Sequence, residues 1–91
     1  MKVVEVIALN EKKYDKILLL KRPANSSSYK VEDMEETYIF SDMAQVNTEY
    51  FDIELDDYFL LDNEGLRDIV FSGSNHDFDI KEDDMTLVLI F

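Results

Sequence analysis

Cysteine is absent from the 91 residues, which excludes disulfides, thiolate metal sites and thiol catalysis. Small secreted domains commonly depend on disulfides, so the absence points to a reducing, cytoplasmic setting. Glycine stands only at Gly65 and Gly73, too sparsely for a loop that cradles phosphates. Long apolar runs are also missing. No window approaches the roughly 18 consecutive apolar residues of a membrane span. Met1 is followed by one lysine and an apolar run broken by Glu5, which does not match a secretory leader.

Histidine occurs once, at His76, within Ser74-Asn75-His76-Asp77. A relay drawn from Ser72 or Ser74, His76 and Asp77 would require chain neighbours to point at one another, and no Gly-x-Ser-x-Gly elbow is present. No catalytic residue is assigned, and the chain is not read as an enzyme. Asp77, Asp79, Glu82, Asp83 and Asp84 surround His76 and offer oxygen ligands for a hard cation. The calcium-loop pattern fails there, because Glu82 stands where the sharp turn needs glycine. No metal or cofactor is expected.

Positive charge is scarce after residue 30. Residues 1–30 hold seven basic residues and three acids, whereas residues 31–91 hold two basic residues and 18 acids. The halves carry +4 and −16, and the whole chain −12. Direct nucleic-acid binding draws its affinity from lysine and arginine, so it is disfavoured. An anionic membrane would repel the chain too. Charge alone does not imply disorder here, because apolar residues make up 46% and recur along the whole length.

The apolar pattern predicts one acidic domain over residues 1–91, of α+β class. It predicts a predominantly antiparallel sheet of about five or six short strands with one short helix. Val3 to Leu9 is β-branched and reads as a strand, forming a hairpin with Ile17 to Leu20. Pro23 ends that second strand, and Ala24 to Ser28 is a loop. The short helix is placed within residues 31–47, with Ser41 as a possible cap. Tyr38-Ile39-Phe40 within that stretch has strand character. Phe51, Ile53 and Leu55 alternate with Asp52, Glu54 and Asp56, the period of a half-buried strand. A bend near Asp56 and Asp57 leads into Tyr58 to Leu61. Asp62 to Gly65 reads as a turn, Leu66 to Phe71 as a strand, and Ser72 to Asn75 as a loop. Phe78 and Ile80 are candidates for a further short strand. Thr86 to Phe91 reads as a strand buried on both faces.

On such a strand Asp52, Glu54 and Asp56 would form a row of carboxylates roughly 6.6 Å apart, with Asp57 at its end. Glu32, Asp33, Glu35 and Glu36 form a second cluster, and Glu82 to Asp84 a third. Tyr50 and Tyr58 flank the row and have the amphipathic character of interface residues. Exposed acids also serve solubility and protect strand edges. A charge of −16 over 61 residues exceeds that need. The function expected is therefore capture of a basic protein, a nuclease or another nucleic-acid-binding protein, by a monomer or homodimer. The partner-binding residues would be Asp52, Glu54, Asp56, Asp57, Glu32, Asp33, Glu35, Glu36, Tyr50 and Tyr58. Nucleic-acid mimics of phage and mobile elements, anti-CRISPR proteins and immunity proteins against nuclease toxins share this composition. No motif ties the chain to one of them. The alternative is a structural or assembly subunit whose acidic face meets a basic neighbour.

Overall fold

Four strands and two helical segments, seen in a computed structural model that describes residues 1–71 and 80–91, form three layers. The middle layer is a mixed sheet of β1 (Lys16–Lys21), β2 (Glu36–Phe40), β3 (Asp57–Leu61) and β4 (Thr86–Ile90), in the order β2-β1-β4-β3. β1 runs parallel to β4, while β2 and β3 pair antiparallel as the two edges. The class is α+β, but the expected antiparallel sheet of more strands is corrected to four strands with a parallel centre. The parallel pair arises because β2 and β3 intervene in sequence yet add at the outside, leaving the two most apolar runs side by side.

Of the three apolar runs expected to lie centrally in the sheet, at 3–9, 17–20 and 86–91, the latter two do and the first does not. Ile17 to Leu20 and Leu87 to Ile90 are fully buried. Alternation sends Ile17, Leu19, Leu87 and Leu89 to one face, and Leu18, Leu20, Val88 and Ile90 to the other. Burial on both faces explains why these runs show no polar alternation.

Val3 to Leu9, expected to be a strand, is instead the helix α1 (Val3–Leu9), and no N-terminal hairpin forms. Val3, Val6 and Ile7 stand at helical spacing and pack on the first sheet face. A seven-residue helix has no stability of its own, so tertiary contacts hold it against its β-branched composition. Its free first-turn N–H groups find partners in the segment read as the alternating strand. The N–H groups of Val3 and Val4 donate to the carbonyls of Ile53 and Phe51 at 3.0 and 3.2 Å. Residues 51–56 are therefore corrected from a strand to an irregular segment that leaves a turn at Phe51 and Asp52 and makes one isolated bridge, Lys2 to Glu54. Their alternation survives as burial: Phe51, Ile53 and Leu55 pack inward while Asp52, Glu54 and Asp56 face out. Beyond α1, Lys12 takes a left-handed φ of 66°, which turns the chain toward β1.

Leu66 to Phe71 is also corrected from strand to helix. Asp62 caps α2 (Asn63–Leu66) by accepting from the Gly65 N–H at 2.8 Å, and π-helical turns continue through Arg67–Phe71. Leu66, Val70 and Phe71 bury one side of this helical stretch against the second sheet face. The helix expected within 31–47 is replaced by two single 3₁₀ turns, Val31–Asp33 and Met43–Gln45, on either side of β2. Asp42, not Ser41, caps the later turn by accepting from the Ala44 N–H at 2.8 Å. The expectations for Ser72 to Asn75, His76, Asp77, Phe78 and Asp79 lie outside the described residues.

Candidate functional site

The row of Asp52, Glu54 and Asp56 is exposed, yet each member faces a cation of its own chain. The amino terminus of Met1 lies 3.2 Å from Glu54, Lys2 Nζ lies 3.9 Å from Asp52, and an Arg22 guanidinium nitrogen lies 3.9 Å from Asp56. Asp52 and Glu54 thus stand beside the N-terminal end of α1, where the helix dipole favours negative charge. These pairs are too exposed to contribute much stability. They do offset part of the negative field that a bare row would project.

A denser group of acids gathers at one end of the sheet. Glu36 opens β2 opposite Lys21, and Asp57 opens β3 opposite Ile90, which itself pairs with Leu20. Both strand starts therefore reach the same end, about 14 Å apart across three strand spacings. Glu35 and Glu36 share one lysine, at 3.7 and 3.9 Å from Lys21 Nζ. Glu32 and Asp33 lie in the turn that precedes β2, and the Ser28 hydroxyl donates to Asp33 at 2.6 Å. Asp33, Glu35, Glu36, Asp56 and Asp57, with Glu32 in the same turn as Asp33, thus gather at the sheet end that also holds Lys21 and Arg22.

Tyr29 joins the two sides of this arc. Its hydroxyl donates to Asp57 Oδ2 at 3.0 Å, its ring meets the edge of Phe59, and the Arg22 guanidinium lies 5.1 Å from its centre. Arg22 is largely buried and donates from Nε to the Ser28 carbonyl at 3.0 Å. It anchors the loop at 24–30 over the sheet end while keeping its charge beside Asp56. Sequence reasoning missed both residues, because nothing local marks Tyr29 as lying against Asp57, 28 positions away.

The two flanking tyrosines separate. Tyr58 is 41% exposed, with its hydroxyl 3.4 Å from Met1 Sδ, and lies beside the row. Tyr50 is half-buried, with its ring centre 5.7 Å from that of Tyr38 and 6.2 Å from that of Phe91, and is part of the packing layer. Contact with the Tyr50 side chain, burial and the Glu36 carboxylate together push the Tyr38 hydroxyl up to about 12 from an ordinary 10.0. The folded chain then holds this proton more tightly than the unfolded one. Its stabilising contribution is whole below pH 10 and is lost as pH rises through about 12. Replacing Tyr38 with Phe is expected to flatten the fall in melting temperature over that alkaline range. An unchanged slope would count against this assignment.

The third cluster divides. Asp84 is buried, lies 3.6 Å from Lys16 Nζ and accepts from the Lys81 N–H at 2.9 Å, so it fastens the entry to β4. Glu82 and Asp83 are exposed. Asp84→Ala leaves Lys16 without its partner in a poorly solvated place and is expected to cost about 2–4 kcal/mol. Glu82→Ala is expected to cost less than about 0.5 kcal/mol. Denaturant melts of the two variants check this, and equal losses would contradict it.

Among the described residues, no three His, Asp or Glu side chains converge on a common point for a metal ion. Among the same residues, no helix is long and apolar enough to cross a membrane. No protein-family model, no curated protein and no solved structure matches the chain.

Proposed function

We propose that this chain is a small acidic binding protein that neutralises a basic, nucleic-acid-binding protein by covering the surface that holds nucleic acid. The observation that carries this reading is the arc formed by Asp33, Glu35, Glu36, Asp56 and Asp57, drawn from two separate segments to one end of a sheet. Carboxylates and phosphates share their sign and their acceptor oxygens, so lysines and arginines arranged for one accept the other. The surplus negative field accelerates encounter with such a partner. Tyr29 and Tyr58, both exposed near these acids, add the aromatic contact that strong interfaces use. Solubility alone calls for a net charge of magnitude about 2–8 in a small domain, well below the −12 present. The reading assigns the chain no catalytic step and no cofactor, and places its action in the cytoplasm.

The test is capture on the immobilised protein from a cell lysate, eluted along a salt gradient. The expected eluate is dominated by nucleic-acid-binding proteins released as salt rises. A captured set without basic bias, or one retained regardless of salt, would count against the proposal.

A further inference from the structure

An apolar groove of about 350 Å³ lies at the C-terminal end of α1. Ile7 and Ala8 of α1 form one wall, Met43 and Ala44 the other, and Glu11 and Asp42 stand among them. Met43 is 40% exposed, and Leu9 beside the groove is 60% exposed. Among the described residues, neither carboxylate has a cation within ion-pair distance, although Lys12 and Lys13 follow Glu11 directly in the chain. The hydroxyl of Tyr14, which also lines the groove, is pushed up by burial and then by the charges of Asp42 and Glu11. Both carboxylates therefore act on the same small space.

We infer that this groove receives a long cationic side chain, an arginine or lysine, from the basic partner. The groove is complementary to such a side chain in two ways at once. The apolar walls match an aliphatic stem, which buries its methylenes while keeping its charged head at a polar rim. The two carboxylates, neither of them ion-paired among the described residues, match that head. A purely apolar occupant would strip water from both carboxylates and return nothing for it. A phosphate or carboxylate ligand would meet two charges of its own sign. The inference rests on the proposed function for the origin of the side chain, but the groove's chemistry can be measured without any partner.

The probe is N-acetyl-arginine N-methylamide, titrated into the whole protein and followed by methyl NMR. Saturable shifts are expected at Ala8, Met43 and Ala44, with a dissociation constant on the order of 1 mM for so small a ligand. The Glu11→Gln, Asp42→Asn double variant is expected to weaken binding about fivefold or more. Asparagine keeps an oxygen for the Ala44 N–H, so the 3₁₀ turn is retained. The norleucine analogue, with a stem and no charge, is expected to give no saturable shift. Absence of saturation, equal binding by the neutral analogue, or an unchanged affinity in the double variant would each overturn the inference. If any of these occurs while salt-sensitive capture of basic proteins persists, the groove assignment fails and the acidic arc stands. If the probe binds as expected and capture fails, the reverse holds.

Discussion

A chain ending at Met85 is expected to be unfolded. The residues lost form β4, which hydrogen-bonds to β1 on one side and β3 on the other. Leu87, Val88, Leu89 and Ile90 are all fully buried, two on each sheet face. At about 1.5–3 kcal/mol for each side chain, their burial contributes about 6–12 kcal/mol. That is comparable to the whole stability of a typical domain, about 5–15 kcal/mol. The loss is more than four side chains. Without β4, edge strand β3 has no neighbour, and the α1 and α2 layers lose the floor they share. Circular dichroism and amide NMR check the result. A cooperative melt with dispersed amide signals would mean that the sheet survives on β1 and β2.

The same strand shows which parts of this fold are legible in the sequence. Ile17 to Leu20 and Leu87 to Phe91 are short, continuous and apolar, and at four or five residues their length favours a strand over a helix. The Val3 to Leu9 run carries two conflicting signals. Its β-branched residues favour a strand, while Val3, Val6 and Ile7 also satisfy helical spacing. The choice was settled by carbonyls of residues 51 and 53 accepting the first-turn N–H groups, and that contact spans almost 50 positions. The same contact explains why the alternation at 51–56 reports faces correctly but pairing incorrectly. For Leu66 to Phe71, the pairing of Asp62 with Gly65 was read as a turn when it is a helix cap. Among the acids, the clusters could be seen from composition. Which of them are matched by cations could not, because Met1, Lys2 and Arg22 reach Glu54, Asp52 and Asp56 only through the fold.

Neutralising the arc is expected to abolish tight partner binding while leaving the fold intact. The variant is Glu35→Gln, Glu36→Gln and Asp56→Asn, which keeps shape and hydrogen-bonding capacity and removes three charges. The three are exposed, and their ion pairs with Lys21 and Arg22 contribute little to stability. At a desolvated interface the same charges are worth more, at least about 1.5 kcal/mol for each close pair. Losing two such pairs weakens binding about 100-fold or more. Asp57 is left unchanged because it accepts from Tyr29 and from the Tyr58 N–H. The double variant Asp52→Asn, Glu54→Gln is expected to have a smaller effect, since those two acids already face Lys2 and the amino terminus. Binding of both variants to one captured partner, measured at fixed salt with circular dichroism as the fold control, separates the arc from the row. A larger loss in the double variant would return the interface to the row.

The central claim is that the acidic arc occupies a site that otherwise holds nucleic acid, and competition measures it most directly. A partner captured by the immobilised protein is challenged with duplex or single-stranded nucleic acid at constant ionic strength. Displacement is expected to saturate as the nucleic acid fills the partner's own site, and no capture is expected when the partner is first loaded with it. Capture that proceeds undiminished on a partner already saturated with nucleic acid would contradict the claim, and would place the arc on an assembly contact instead.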